Sequence, residues 1–368
     1  MLVNSIIFIS NNFWTLYKFR FEIIQHLSRK GYDIHLIGEM DGYEAKLSSL
    51  NVKCHNVSFK GREINLFNEI KSIYKLLKII RKINPLIVFN FTIKPNIYSG
   101  LVCRYNKIRY VSMITGLGFF FNNSKTILKS MIKYLLKQSL QSSSIVWFTN
   151  KSDHEYFIKN KILNKQNTDI IPGAGVKNND TKFNNIFDKK EITFLMISRL
   201  LNEKGVSEYL QAAKYFYKYN KYKFLLVGKY ENDRHHIKRY LLDNSIRDTY
   251  IEYIDFTDDI DELYSRASCI VLPSYREGLS TILLEAAVRK LPIITTDVPG
   301  CNDVIIDDKY GFLCEAASAQ SLVDTMKLFI KSSKEELSSK VNKTYSHVTT
   351  NFSIDMILKK YDKLLDHD

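Results

Sequence analysis

Short apolar runs alternate with amphipathic stretches along almost the whole chain. Residues 5–10 are nearly all apolar, and Asn11-Asn12-Phe13-Trp14 reads as the loop that follows. Over 16–30, Phe19, Ile23, Ile24 and Leu27 recur at helical spacing until Gly31 stops the pattern. Strand-like runs return at 33–38, 52–59, 86–91, 110–114, 144–149 and 169–171, with helical patterns at about 65–82 and 125–141. The series restarts at 192–197 and continues through 222–227, 249–253, 269–272 and 293–294, ending in helical patterns at about 318–331 and 354–365. Ser318 stands where an N-cap is expected. Strands alternating with helices predict parallel sheets covered on both faces, and two successive series predict two α/β domains. Pro172-Gly173-Ala174-Gly175-Val176 reads as the hinge and the charged, turn-rich stretch 178–190 as the linker.

The 368 residues allow two domains of ordinary size, and 45% hydrophobic with 25% charged residues is a globular composition. No uninterrupted apolar segment has the length of a membrane span. The N-terminus lacks a basic leader pattern and reads as a first strand. Five cysteines without a C-x-x-C pair suggest a reducing cytoplasm and no zinc site; Cys301, beside Gly300, is either a reactive thiol or a small buried hydrophobe. Charge adds more. Residues 1–172 hold 25 Lys and Arg against 10 Asp and Glu, whereas the rest hold 28 against 29, so the net charge of +14 belongs to the first half. A basic face implies an anionic partner: nucleic acid, an anionic bilayer or a phosphorylated substrate.

Part of that charge sits on amphipathic helices. At 65–82, Lys71, Lys75, Lys78, Arg81 and Lys82 surround Ile70, Tyr74, Leu77 and Ile80. At 125–141, Lys125, Lys129, Lys133 and Lys137 form one stripe opposite Ile127, Leu128, Met131, Ile132, Leu135 and Leu136. Such a helix is either an ordinary solvated one or a peripheral contact with an anionic leaflet.

Candidate chemistry concentrates in 268–300, which scans as strand, turn, helix and strand. The turn carries Glu277 and Gly278, the helix carries Glu285, and Gly278, Leu279 and Ser280 are expected to offer backbone N–H groups to a phosphate at the helix start. In open α/β sheets the carboxyl ends of strands are where ligands bind. After 192–197, Arg199 and Lys204 stand five apart in a loop of the same kind, suited to a diphosphate. Gly228 ends the next strand, and Thr115-Gly116-Leu117-Gly118 ends another, where glycine lets backbone approach a ligand. The opening strand and helix lack G-x-G-x-x-G, so no dinucleotide is expected, and the cations Arg199 and Lys204 stand in the place of a catalytic metal, so none is expected.

Pro273-Ser274-Tyr275-Arg276-Glu277-Gly278 followed by Leu284-Glu285-Ala286 resembles the E-x7-E signature of retaining glycosyltransferases of family 4. The resemblance implies the GT-B fold, two Rossmann-like domains facing across a cleft. It divides the chain into an acceptor-binding domain (1–175), a nucleotide-sugar-binding domain (176–352) and a helix returning to the first domain (353–368). It implies that Arg199 and Lys204 clamp the donor diphosphate, that Glu277 contacts the donor sugar and that Glu285 holds the ribose, with further donor contacts from Gly228, Gly278, Leu279 and Ser280. The base slot is carried to 254–257, with Phe256. No cofactor is implied.

The run 94–121 closely resembles bacterial transferases that add N-acetylhexosamines to sugars on undecaprenyl diphosphate, which also have an arginine at the place of Arg20. Asn12, Arg20, Lys94, Thr115, Gly116 and Gly118 are accordingly the expected acceptor contacts. Asparagines stand where many relatives have a glycine-rich first loop, and the histidine common near the 110–114 strand end is missing. The implied partners are a UDP-sugar, a polyprenyl-diphosphate-linked saccharide and the anionic inner leaflet, with the protein peripheral on the cytoplasmic side and no nucleic acid bound. A nucleotide-sugar epimerase of the same fold and a basic nucleic-acid-binding protein are the alternatives.

Overall fold

The computed structural model describes residues 4–59, 66–116, 126–178, 191–231, 236–248 and 251–366. The chain divides into two compact units, one comprising residues up to 174 together with those from 357 onward, the other residues 175–356.

The first unit runs β1 (Ser5–Asn12), α1 (Phe13–Arg29), β2 (Asp33–Glu39), α2 (Glu44–Leu47), β3 (Lys53–Asn56), α3 (Leu66–Ile83), β4 (Ile87–Phe91), α4 (Ile93–Asn106), β5 (Tyr110–Ile114), α5 (Thr126–Leu140), β6 (Ile145–Phe148), α6 (Lys151–Lys159) and β7 (Thr168–Ile170). Its described strands form one parallel sheet in the order β3-β2-β1-β4-β5-β6-β7. Helices cover both faces, so β4 and β5 are buried at every position and are apolar except for Asn90 and Ser112.

The second unit runs β8 (Ile192–Ile197), α7 (Val206–Tyr217), β9 (Tyr222–Val227), α8 (Arg239–Arg247), β10 (Glu252–Ile254), α9 (Ile260–Arg266), β11 (Cys269–Leu272), α10 (Thr281–Val288), β12 (Ile293–Thr296), β13 (Phe312–Cys314), α11 (Ala319–Lys331) and α12 (Lys334–Asn351). Its parallel order is β10-β9-β8-β11-β12-β13. The strand order turns back at the β8–β11 pair, the kind of switch point at which such sheets bind ligands. Ser318 caps α11 by accepting from Ser321 N at 3.1 Å.

The last helix, α13 (Ile354–Leu365), contributes to the first unit from Ile357 onward. Tyr361 is fully buried there, its ring centroid 4.9 Å from those of both Phe89 and Trp147. Asp362 accepts from His26 Nε2 at 2.9 Å and from Lys30 at 2.7 Å, and Lys360 pairs with Asp169. Aromatic burial supplies the energy of this attachment and the ion pairs set its register.

Several sequence expectations change. Asn11 and Asn12 end β1 rather than forming a loop, and α1 begins directly at Phe13. The strand expected over 52–59 is paired only at Lys53–Asn56, although Val57 and Phe59 remain buried. On α3 the apolar pattern is rotated: Leu76 and Ile80 are buried, whereas Phe67, Ile70 and Tyr74 are 77%, 59% and 56% exposed. Glu69 explains the rotation, because it is buried and accepts from Lys94 Nζ and Tyr98 Oη of α4, both at 2.7 Å.

Two histidines pair across β2 and β3, with His35 Nδ1 2.9 Å from His55 Nε2 and His35 Nε2 3.1 Å from Asp33. Burial holds both imidazoles below their ordinary value of 6.5, with Lys53 and, for His55, also His35 and Lys82 adding to it against the opposite pull of Asp33 on His35. Below 6.5 the unfolded chain therefore binds protons that the folded chain refuses, and stability is lost as pH falls through that value. The melting temperature is expected to drop between pH 7 and 5.5, and His55→Gln to flatten that slope; an unchanged slope would contradict the assignment.

Candidate active site

The loop after β8 is built against the loop after β11. Ser198 N donates to Val227 O at 3.0 Å, and a 3-10 turn over Asn202–Lys204 ends at Gly205, which has φ +73°. A Cβ on Gly205 would lie 2.1 Å from Pro273 O, so only glycine lets these backbones meet. Tyr275 N donates to Glu203 O at 2.8 Å and fastens the same junction. Lys204 Nζ thereby reaches both carboxylate oxygens of Glu277 at 2.6 Å, and Ser274 Oγ donates to Glu277 Oε1 at 2.7 Å.

From the other side, Glu277 N donates to Pro299 O, and a Cβ on Gly300 would come within 2.6 Å of Glu277 backbone. The carboxylate is thus fixed by a cation, a buried hydroxyl and two rigid loops. Arg199, in the same loop as Lys204, is exposed.

The amides expected to face a phosphate are partly committed. Ser280 N donates to Gly300 O at 3.2 Å, and its buried side chain caps α10 by accepting from Leu283 N. The helix begins at Thr281, so 278–280 are the turn before it. Cys301 is fully buried, and burial beside Glu277 pushes its thiol up to about 12, which leaves the small-hydrophobe reading.

Gly228 is again a close approach, since a Cβ there would lie 1.8 Å from Ser198 O. Tyr253 Oη donates to Gly228 O at 3.0 Å and to Asp255 at 2.8 Å, tying the end of β9 to the end of β10. Phe256, just beyond, is exposed. Glu285, on α10, accepts from the hydroxyl of Tyr264 at 2.9 Å. Ser274, Tyr264 and the Glu208–Tyr275 bond at 2.8 Å were not read from the sequence as site residues. Ser274 and Tyr275 carried a signal, their position inside the motif, and Tyr264 and Glu208 carried none.

In the first unit, Asn12 caps α1 by accepting from Thr15 N at 3.1 Å. Arg20, expected among the acceptor contacts, is 5% exposed. Its guanidinium lies 4.4 Å from the Phe91 ring centroid and donates to Phe19 O, Gly173 O and Met113 Sδ, and burial lowers its pKa. Among the described residues no carboxylate pairs with it, and its Nε has no partner. Lys94 is committed to Glu69. Thr115 and Gly116 are half-buried at the end of β5, while Gly118 lies outside the described residues.

The expected lysine stripe is also altered. Lys125 lies outside the described residues. Lys133 donates to Asn160 at 3.1 Å and stands over the Tyr156 ring, Lys129 is half-buried and Lys137 is exposed. Met131 faces outward instead of packing inward, and Tyr134 is exposed beside it. No described helix is long and apolar enough to cross a membrane.

Comparison with known proteins gives two family matches: "Glycosyl transferase 4-like" over residues 5–150 and "Glycosyl transferases group 1" over 177–346. The N,N'-diacetylbacillosaminyl-diphospho-undecaprenol alpha-1,3-N-acetylgalactosaminyltransferase of Campylobacter jejuni is 26% identical over 98% of this chain and 97% of its own. The UDP-Gal:alpha-D-GlcNAc-diphosphoundecaprenol alpha-1,3-galactosyltransferase of Escherichia coli is 24% identical over 82% of this chain and 80% of its own. Among solved structures, Anabaena HepE in complex with UDP and glucose superimposes with a TM-score of 0.80 at 12% identity, covering 99% of this chain and all of that one, a likeness of fold.

The close approach at Gly205 makes a measurable difference. Gly31 also has positive φ (+89°) but open space around it. Gly31→Ala is expected to cost about 1 kcal/mol in urea unfolding, the price of the backbone conformation, and Gly205→Ala roughly 2 kcal/mol or more. Equal losses would contradict the contact with Pro273.

Proposed function

We propose a specific reaction for this chain, which belongs to the GT-B glycosyltransferases, with a 4-like first domain and a group 1 second domain: retaining, metal-independent transfer of an N-acetylhexosamine from a UDP-sugar to a polyprenyl-diphosphate-linked saccharide in bacterial surface polysaccharide assembly. The observation that carries the reading is Lys204 held 2.6 Å from both oxygens of Glu277 at the carboxyl edge of the β8–β11 pair. A cation and an acceptor-only carboxylate fixed side by side suit a nucleotide sugar, which presents a diphosphate and a hydroxylated ring at adjoining positions.

In this reading Lys204 and Arg199 neutralise the diphosphate as its bond to the anomeric carbon breaks. Preorganised charge of this kind is commonly the largest catalytic contribution. Glu277 accepts from donor-sugar hydroxyls and favours the positive charge that develops on the ring. Glu285 accepts from the ribose diol, and Phe256 lies by the base. The departing diphosphate takes the proton of the incoming hydroxyl, which attacks from the same face and so retains the configuration. The names of the two relatives support an undecaprenyl-diphosphate acceptor, and HepE supports UDP. Arg20, a buried cation at the strand ends of the first unit that has no carboxylate partner among the described residues, is assigned to the anionic part of that acceptor.

The acceptor's lipid places the first unit at an anionic bilayer on the cytoplasmic side. The outer surface of α3 supports this placement: Phe67, Ile70 and Tyr74 are exposed, with exposed Lys71, Lys75 and Lys78 between and beside them. Apolar side chains among lysines suit the headgroup boundary, where each cation adds about 1 kcal/mol. On α5, Met131, Tyr134 and Lys137 repeat the chemistry, so the contact is assigned to α3 and α5 together.

Glu277→Gln and Lys204→Ala are each expected to lower transfer from radiolabelled UDP-N-acetylhexosamine to a lipid-linked acceptor by roughly 100-fold or more while the melting temperature stays close to that of the parent. Turnover is expected to persist in EDTA. Near-normal turnover in both variants would place the donor elsewhere. Replacing Lys71, Lys75 and Lys78 together with glutamate is expected to weaken binding to phosphatidylglycerol vesicles by about 100-fold or more, as roughly 1 kcal/mol per cation implies. Unchanged sedimentation with vesicles would end the bilayer assignment.

A further inference from the structure

We propose that Tyr264 is a positioning residue that fixes Glu285 and thereby makes the donor site prefer a ribonucleoside diphosphate to its 2′-deoxy counterpart. The inference rests on the reading of Glu285 as the ribose contact. Tyr264 lies on α9 and is fully buried, yet its hydroxyl is spent on a half-exposed carboxylate of the next helix, 2.9 Å from Glu285 Oε2. Its other acceptor, Ile282 O, is a long 3.4 Å away. A buried phenol needs an acceptor, and here it takes the carboxylate in preference to the main-chain carbonyl.

The ring is itself held in place. The Arg289 guanidinium lies 4.5 Å from its centroid, donates through Nε to Asp261 of α9 at 3.0 Å and through Nη1 to Glu285 O at 3.1 Å. Asp261, Arg289, Tyr264 and Glu285 thus form a closed brace between α9 and α10. Burial and the neighbouring carboxylate push the phenol well above its ordinary range, so it remains a donor at every working pH.

The consequence for recognition is chemical. A carboxylate can only accept, and a ribose diol offers two adjacent donors, whereas a 2′-deoxyribose offers one. An unbraced glutamate spreads over many rotamers and loses that freedom on binding; one held beforehand does not. Discrimination against the deoxy sugar requires the carboxylate to be unable to swing to a compensating position. Tyr264 supplies that restraint without touching the nucleotide.

Calorimetric titration of the full chain with UDP and with 2′-deoxy-UDP tests the proposal. The parent is expected to bind UDP at least roughly tenfold more tightly, Glu285→Gln to lose most of that ratio, and Tyr264→Phe to reduce it to about threefold or less. Tyr264→Phe is also expected to raise the donor KM with little change in kcat. If Glu285→Gln loses the ratio but folded Tyr264→Phe keeps it, the role of Tyr264 is overturned while that of Glu285 stands. If the parent shows no preference, or Glu285→Gln keeps it, the reading of Glu285 fails and the proposal falls with it. Should Tyr264→Phe not fold, Arg289→Gln, which leaves the hydroxyl but frees the ring, is expected to lower the ratio in the same direction, and an unchanged ratio overturns the proposal.

Discussion

At Gly205 and Gly300 the loops of the second unit approach neighbouring backbone so closely that a Cβ would lie 2.1 Å from Pro273 O and 2.5 Å from Glu277 O. These two approaches fix the stretch 273–277 between the loop that carries Lys204 and the turn at 299–300. The Lys204–Glu277 pair depends on them. Bringing a cation and a carboxylate out of water is costly, and such a pair is weak evidence for stability. Held in place by backbone, it is instead a preformed arrangement of opposite charges at a strand edge, and the proposed donor supplies groups complementary to both. Ser274, fully buried, keeps one oxygen of Glu277 aligned whether or not Lys204 shifts toward a diphosphate.

The first unit solves a different problem with the same kind of sheet. Its excess of Lys and Arg is divided between two environments. Arg20 is buried against Phe91 and Met113, where an uncompensated charge is expensive, and Lys94 is half-buried and balanced by Glu69. Lys71, Lys75 and Lys78 remain on the outside of α3, beside apolar side chains that an aqueous surface does not require. The Glu69–Lys94 pair links these features, since it sets the rotation of α3 on α4 and so decides which apolar residues face outward.

Much of the fold was legible because parallel strands covered on both faces leave mainly apolar runs, as at 87–91 and 110–114, where Asn90 and Ser112 are the polar exceptions. The βαβ unit holding Glu277 and Glu285 was readable for the same reason, and Arg199-x4-Lys204 by its place after a strand. What periodicity could not supply was the partner of each polar group. The apolar count on α3 fits either rotation of the helix, and the choice is made by Glu69, a contact 25 residues away from Lys94 in sequence. Ser280 was expected to offer its amide to phosphate, but that amide meets Gly300 O, 20 residues on. Arg20 was named by resemblance as an acceptor contact, but its burial against Phe91 and Met113 is set by strand ends far away in sequence, and Tyr264 carries no local signal at all.

The central claim is that Lys204 and Glu277 mark the place where a nucleotide sugar is held. A crystal structure of the chain soaked with UDP tests it most directly. Diphosphate oxygens are expected within hydrogen-bonding distance of Lys204 Nζ and the Arg199 guanidinium, and ribose hydroxyls on Glu285. UDP bound with its diphosphate away from Lys204 and Arg199 would contradict it.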